Sequence, residues 1–232
     1  MSQKKVGVIL SGCGFLDGAE IHESVLTLLA LDRADVQVQC MAPDIEQMHV
    51  VDHLKGEPTQ DKRNVLVEAA RIARGNIVDI AQVDTSELDA LALPGGYGGA
   101  KNLSNFAVQG ADCAVHPQVT RVVREVHEAG KPIASLCITP AILAALFGKE
   151  LHPSLTIGSD ADTAKALEQM GARHQNAVVT DIVIDNDNNL ITTPCYMLDA
   201  RIRDVATGID RAIAELLQRV ESTGAREKFP AT

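Results

Sequence analysis

The feature that most constrains the fold is the alternation of short apolar runs with longer segments of helical periodicity. Strands that alternate with helices predict an α/β protein with a doubly wound, mostly parallel sheet. The predicted strands are Val6–Leu10, Val36–Met41, Leu88–Leu93, Pro132–Leu136, Ile182–Asp185 and Leu190–Thr193. The predicted helices are Glu20–Arg33, Arg63–Arg74, Pro117–Glu128, Thr139–Phe147, Ala161–Met170 and Ala200–Val220. The turn formers Asp185–Asn189 predict a hairpin between the last two strands.

Cys137 lies between a predicted strand and a predicted helix. The strand ends at Leu136, and Thr139 and Pro140 are suited to the N-cap and first turn of the helix. On such a turn the sulfur points out of the sheet, and the positive end of the helix favours a thiolate. We therefore predict a nucleophile elbow with Cys in place of Ser, although a small buried Cys in the core would give the same local pattern.

A glycine-rich loop, Gly95–Gly99, follows the predicted strand that ends at Leu93. Glycine lets the backbone approach a ligand closely, and successive N–H groups in such a loop can bind an anion. Neither the phosphate-loop pattern nor the dinucleotide-binding pattern is present. The loop is therefore interpreted as an anion-binding backbone, with a simple connector as the alternative.

The first predicted helix places two carboxylates, Glu20 and Glu23, just after the first strand. A carboxylate at the start of a helix commonly only stabilises the helix dipole. However, ligands of open α/β sheets bind beyond the carboxyl ends of the parallel strands. The fold should therefore bring this helix start, the glycine loop and Cys137 to the same edge of the sheet.

Composition argues against several classes of function. The net charge is -10, aromatic residues make up 3% and Trp is absent, which disfavours binding to nucleic acid or to an anionic membrane. No apolar run is long enough for a membrane span. We expect one α/β domain over residues 1–221 and a polar tail over residues 222–232.

The cysteines are odd in number, widely spaced and free of Cys-x-x-Cys pairs. They are Cys13, Cys40, Cys113, Cys137 and Cys195. This pattern argues against a disulfide framework or a zinc site and predicts a reducing, cytoplasmic location. His49 and His53 have a helical ligand spacing, but the Glu of a His-Glu-x-x-His motif is missing, so no metal is predicted.

Several of these segments together resemble the PfpI-type superfamily, which is similar in fold to class I glutamine amidotransferase domains. The resemblance rests on Leu93–Ser104, the Cys137 elbow and the early Glu. Within this superfamily, Ile9–Gly14, Asp17–Glu23 and Arg63–Ile72 resemble the ElbB subgroup, the isoprenoid biosynthesis glyoxalases. The resemblance covers nearly the whole chain and implies a flavodoxin-like three-layer sandwich.

The resemblance assigns roles to particular residues. Cys137 matches the nucleophile, and Gly96 and Ile138 match the positions whose backbone N–H groups form the oxyanion site. Glu23 is preferred over Glu20 as the carboxylate that hydrogen-bonds the sulfur, because the apolar pattern of the first helix then aligns throughout.

One departure from the family pattern concerns histidine. Many relatives have a His directly after the nucleophile or in the segment that Ile157 and Gly158 occupy here. Ile138 holds the first of these places, so a Cys-His-acid triad with peptidase or amidase activity is not implied. His22 on the first helix is interpreted as a solvent-exposed side chain.

The resemblance implies a glutathione-independent glyoxalase III. Small 2-oxoaldehydes such as glyoxal and methylglyoxal would be converted to 2-hydroxy acids through a Cys hemithioacetal, without a cofactor. A homodimer is also implied. Two alternatives stay open, a non-catalytic redox-sensing or protein-binding homologue and a deglycase- or amidase-like hydrolase.

Overall fold

The computed structural model describes residues 3–228, which form a central seven-stranded sheet, two small strand pairs and surrounding helices. The strands are β1 (Lys5–Ile9), β2 (Gln37–Ala42), β3 (Val51–Asp52), β4 (Glu57–Pro58), β5 (Ile77–Asp79), β6 (Ala90–Leu93), β7 (Ile133–Leu136), β8 (Ser154–Leu155), β9 (Arg173–His174), β10 (Val183–Asp185) and β11 (Leu190–Thr193). The helices are α1 (Ile21–Arg33), α2 (Val65–Ile72), α3 (Gly98–Lys101), α4 (Phe106–Gln109), α5 (Pro117–Glu128), α6 (Pro140–Leu151), α7 (Ala161–Gln169) and α8 (Ile202–Lys228).

The strands of the central sheet have the order β10-β11-β7-β6-β1-β2-β5. All neighbouring strands in it run parallel except β10 and β11, which form an antiparallel hairpin at one edge. The predicted doubly wound α/β fold is therefore confirmed, and so is the hairpin around Asp185–Asn189.

Apolar side chains pack on both faces of the sheet and give the molecule three layers. Along β6, Ala90 and Ala92 belong to the core that α1, α2 and α8 cover, whereas Leu91 and Leu93 belong to the core that α5, α6 and α7 cover. Such alternation with a period of two is expected of a strand buried on both faces. The flavodoxin-like three-layer sandwich is confirmed.

The structure differs from the sequence-based assignment mainly in short strands and helix ends. β5 was not predicted, because its three residues are too few to show a period, yet it pairs with β2 at the edge of the sheet.

Helix α8 continues to Lys228, into the segment predicted to be a polar tail. The sequence has no proline between the start of α8 and Pro230 that would end the helix earlier. Residues 229–232 of the predicted tail lie outside the described residues.

Strands β1, β6 and β7 are neighbours in the middle of the sheet. Because they run parallel, the loops after them leave the same edge, and these loops hold the start of α1, the glycine run and Cys137. Across residues 3–228, no helix has the length and mean hydropathy of a bilayer-spanning segment.

Candidate active site

Cys137 occupies a tight turn between β7 and α6. Its backbone has a φ of 61°, in the left-handed region that residues other than glycine rarely adopt. The N–H of Cys137 donates to the carbonyl of Thr193 on β11 over 3.0 Å, which holds the turn against the sheet. A strained strand-to-helix turn of this kind is the local geometry of a nucleophile elbow.

Thr139 supports this turn differently from the way the sequence indicated. It holds the N-cap position of α6, but its side chain does not cap the helix. Its buried hydroxyl instead lies 2.8 Å from the carbonyl oxygen of Leu93 and accepts the N–H of Leu136 over 3.0 Å. These bonds connect the ends of β6 and β7 next to Cys137.

Glu23 is the carboxyl group that lies beside the sulfur of Cys137 and interacts with it. It lies in the first turn of α1 with its side chain fully buried. Its Oε2 accepts the N–H of Gly95 over 2.9 Å, and its Oε1 accepts the N–H of Tyr196 over 3.2 Å. Burial, together with the charge of Glu20, raises the pKa of Glu23 to about 8. The carboxyl group is therefore mostly protonated at neutral pH.

Glu20 has a different position. It is the N-cap residue of α1, and its carboxylate accepts the N–H of Glu23 over 2.7 Å. Glu20 also lines the cavity in front of Cys137. Of the two carboxylates, Glu23 thus contacts the thiol, whereas Glu20 begins the helix and faces the cavity.

The backbone N–H groups of Gly96 and Ile138 both interact with the sulfur of Cys137 and lower the pKa of its thiol. Gly96 has a φ of 98°, and a Cβ atom there would collide with the backbone of Gly18 and Glu20. Glycine is therefore required for this loop to bring its N–H to the sulfur.

Burial is the main reason that the pKa of the Cys137 thiol lies well above its ordinary value. The charge of Glu23 raises this pKa further, whereas the N–H groups of Gly96 and Ile138 lower it. The N–H of Ile138 at the start of the helix thus favours a thiolate as expected, but burial outweighs it, so the expectation of a thiolate at Cys137 is wrong. At neutral pH the thiol of Cys137 is therefore protonated, and the carboxyl group of Glu23 is mostly so.

Two further residues complete the site, and sequence reasoning did not single them out. Gly95 packs so closely that a Cβ atom there would collide with the side chains of Cys137 and Glu23. Tyr196 lies in a 3-10 turn that follows β11. Both residues hold Glu23 through backbone N–H groups, which side-chain patterns do not reveal. The glycine run is a signal for Gly95 in the sequence, whereas nothing in the sequence marks Tyr196.

A cavity of about 270 Å³ opens in front of Cys137, and none of the residues that line it is a His. The N–H of Ile157, in the segment where many relatives have a His, donates to Nε2 of His174 over 3.3 Å. His22 is exposed on α1, and its Nδ1 lies 2.9 Å from the hydroxyl oxygen of Tyr196. Within residues 3–228, no three His, Cys, Asp or Glu side chains are grouped so that they could hold a metal ion.

Comparison with known proteins places this arrangement in a family. The profile of the DJ-1/PfpI family matches residues 13–194. The chain belongs to the DJ-1/PfpI family. The matched region runs from the loop after β1 to the residue after β11, and it contains Glu23, Gly96 and Cys137.

The chain is 43% identical over 225 residues to the human glutamine amidotransferase-like class 1 domain-containing protein 3, mitochondrial, covering 92% of this chain and 82% of that protein. It is 43% identical over 224 residues to the rat ES1 protein homolog, mitochondrial, covering 92% of this chain and 83% of that protein. The solved structure of an isoprenoid biosynthesis protein with an amidotransferase-like domain from Ehrlichia chaffeensis matches with a TM-score of 0.88 and 39% identity, covering 94% of this chain and 99% of that chain. The fold is therefore class I glutamine amidotransferase-like.

Both of these relatives from mammals are named as mitochondrial proteins. Their location contradicts the cytoplasmic location predicted from the cysteines. All five cysteines are free thiols. Free thiols indicate reducing conditions, but they do not distinguish one reducing compartment from another.

Proposed function

We propose that the protein is a cofactor-independent glyoxalase of the ElbB subgroup that converts small 2-oxoaldehydes to 2-hydroxy acids. The observation that carries the proposal is the contact between the Cys137 sulfur and the buried Glu23 carboxyl, beside the N–H groups of Gly96 and Ile138. The reaction needs a nucleophile, a group that carries protons and donors for an oxyanion. Similarity to the Ehrlichia isoprenoid biosynthesis protein supports the choice of subgroup.

In the first step, Cys137 adds to the aldehyde carbon, C1. The sulfur forms a bond to C1, and the π electrons of the carbonyl group move onto its oxygen. The N–H groups of Gly96 and Ile138 stabilise the negative charge on that oxygen. Glu23 transfers the thiol proton to the oxygen, which gives a neutral hemithioacetal.

In the second step, a proton moves from C1 to C2. Glu23 first releases its proton to solvent. Its carboxylate then removes the proton from C1, a double bond forms between C1 and C2, and the C2 oxygen takes a proton from solvent. Glu23 then returns its proton to C2, and the C1 hydroxyl loses its proton to give a thioester. A carboxyl group with a pKa of about 8 suits this role, because it both accepts and releases a proton near neutral pH.

In the last step, water hydrolyses the thioester. Water adds to C1, the bond between C1 and sulfur breaks, and a proton returns to Cys137. C1 is oxidised and C2 is reduced within the same molecule, so the net reaction adds one water and needs no external electron carrier.

Turnover of methylglyoxal without added glutathione tests the proposal. We expect many molecules of lactate per chain from the parent protein and none from Cys137→Ala. Cys13→Ala is the control, because Cys13 is a half-buried thiol that does not line the cavity. One equivalent of adduct without lactate would instead favour a binding role, and release of amines from glycated peptides would favour the hydrolase.

We also propose that the protein is a homodimer. Helix α1 leaves Ile21, Val25 and Leu29 exposed along one face at helical spacing, which supports self-association. Size-exclusion chromatography with light scattering tests the proposal, and a monomeric mass at micromolar concentration would contradict it.

A further inference from the structure

The cavity in front of Cys137, here called the inner cavity, adjoins a second, outer cavity. The inner cavity has a volume of about 270 Å³ and the outer cavity one of about 530 Å³. Phe15, Glu20, Tyr196 and Met197 line both of them. The smallest 2-oxoaldehydes need only the inner cavity, so the outer cavity has room for an additional, non-reacting part of a larger substrate.

Carboxylates give this pair of cavities its charge. Glu20 lies where the two meet, Asp160 lines the inner cavity and Asp199 lines the outer one. Among the described residues that line either cavity, none is Lys or Arg. Hydrogen bonds from Thr163 lower the pKa of Asp160, so its carboxyl group is ionised at neutral pH.

Two cationic residues near the cavities, one in space and one in sequence, line neither of them. The Nζ of Lys101 donates to the carbonyl of Leu16 over 2.7 Å and lies 5.5 Å from the centre of the Tyr97 ring. Arg201 follows Ala200, the last residue along the chain that lines the outer cavity. The acidic side chains that line the cavities are therefore not balanced by a Lys or Arg in the lining, and the imidazole of His22 lines the outer cavity beside them.

The other walls are aromatic and apolar. Phe15, Tyr196 and Met197 line both cavities, Tyr97 lines the inner one, and Leu198 lines the outer one. Aromatic faces attract cations, and carboxylates beside them strengthen that attraction, whereas an anion in the outer cavity would be repelled by Glu20 and Asp199. An apolar stem with a positive charge matches both kinds of wall.

We propose that the outer cavity binds the cationic, ammonium-type part of an aldehyde whose carbonyl carbon reaches Cys137, and that the site discriminates against anionic substrates such as 2-oxo acids. This inference rests on the proposed function for the reacting end and adds the class of the substrate. The carboxylate of Glu20 acts on the reacting pair as well, because its charge contributes to the raised pKa of Glu23.

Charged thiol reagents test this selectivity without any need for turnover. The probes are the cationic 2-aminoethyl, the anionic 2-sulfonatoethyl and the neutral methyl methanethiosulfonates, with each of which a thiolate displaces methanesulfinate and forms a mixed disulfide. The rate of each reagent at Cys137 is measured by mass spectrometry. It is then divided by the rate of the same reagent with 2-mercaptoethanol, which removes differences in intrinsic reactivity. We expect the cationic reagent to be favoured over the anionic one by about 10-fold or more at low salt and by less at high salt.

Asp160→Asn and Asp199→Asn should each reduce this ratio by about 2- to 5-fold. Asp160→Asn keeps the cap of α7, because an amide oxygen can accept the N–H of Thr163 that Asp160 accepts over 2.8 Å. Asp162→Asn is the matched control, since it removes the same charge from the same helix turn but outside both cavities, and it should leave the ratio unchanged.

The inference would be overturned if, after division by the rates of 2-mercaptoethanol, the cationic and anionic reagents react equally fast with Cys137. It would also be overturned if Asp160→Asn and Asp162→Asn change the ratio of cationic to anionic rates equally. Failure of all three reagents to reach Cys137 would overturn it too, because the cavities would then not connect the thiol to solvent. Selective labelling by the cationic reagent in a protein that does not turn over methylglyoxal would refute the proposed reaction and leave the cationic site in place.

Discussion

The N–H of Gly95 lies 2.9 Å from Oε2 of Glu23, so the glycine loop holds in place the carboxyl group that contacts Cys137. An N–H donor favours the ionised carboxylate, whereas burial favours the protonated acid. Burial is the larger effect and raises the pKa of Glu23 to about 8. Because this value is close to neutral pH, a small change in pH alters the fraction of Glu23 that is protonated. The loop thus orients Glu23, and the buried site determines its proton affinity.

Glu23→Gln is expected to lower methylglyoxal turnover by about 10²- to 10⁴-fold. The amide keeps the shape of the side chain but cannot take up and return a proton. Glu20→Gln is the matched control, because its amide oxygen can still accept the N–H of Glu23, and it should have the smaller effect on kcat. If Glu23→Gln turned over normally and Glu20→Gln were inactive, Glu20 would be the proton carrier instead of Glu23.

Glu23 should make the free energy of unfolding fall as pH rises between 4.5 and about 8. In this window the folded protein retains a proton that the unfolded chain releases, so stability is lost by up to about 1.4 kcal/mol per pH unit. The contribution is complete below pH 4.5 and is gone above the folded pKa of about 8. Urea unfolding of the parent and of Glu23→Gln, measured across this pH range, isolates the contribution of Glu23. If the difference between their free energies of unfolding did not change with pH, the raised pKa would be contradicted.

Alkylation of Cys137 by iodoacetamide should be slow at neutral pH and faster at higher pH, because burial and Glu23 raise the pKa of the thiol. Glu23→Gln removes the charge and should move the midpoint of the pH profile downward. Cys195 is fully buried, and burial raises the pKa of Cys40 to about 11, so both should stay unlabelled in the folded protein. Mass spectrometry of the labelled peptides measures this, and labelling of Cys40 before Cys137 would contradict it.

Gly96→Ala should destabilise the protein more than Gly75→Ala does. The two glycines have similar φ values, 98° and 82°, so both variants introduce a backbone strain of about 1–3 kcal/mol. Only at Gly96 would the new Cβ atom meet the backbone of Gly18 and Glu20, since nothing lies within 4 Å of the one at Gly75. We expect a further loss of about 1–3 kcal/mol and a loss of turnover in Gly96→Ala.

Urea unfolding and methylglyoxal turnover, measured on both glycine variants, separate these effects. A Gly96→Ala protein with the stability of Gly75→Ala and parental turnover would show that the N–H of Gly96 is not needed for the reaction.

The layered fold could be predicted from the sequence because apolar periodicity is a local property. The predicted strand Val6–Leu10 differs from β1 by one residue at each end. The predicted strand Leu88–Leu93 contains all of β6 and begins two residues before it. The same periodicity cannot show strand order, and it could not find β5, whose three residues are held mainly by pairing with β2. The extent of α8 was underestimated because polar composition alone does not end a helix.

The candidate site could be predicted only in part. The glycine run and the strand-to-helix position pointed to Gly96 and Cys137, but only the fold shows that Glu23, and not Glu20, is buried beside the sulfur. The direction of the thiol pKa shift was wrong, because the helix end is visible in the sequence and the degree of burial is not. Tyr196 was absent from the prediction because it acts on Glu23 through a backbone N–H.

The bond between the N–H of Tyr196 and Glu23 spans 173 positions of the chain, and the N–H of Cys137 is held by Thr193, which lies beyond α7. A nascent chain that still lacks β11 therefore has neither the second donor for Glu23 nor the acceptor that fixes the turn of Cys137. Cys137 and Glu23 therefore gain their full set of backbone contacts only once β11 and the turn after it are present. Within this architecture, the geometry around Cys137 and Glu23 depends on the hairpin strand at the edge of the sheet as much as on the loops that carry the two residues.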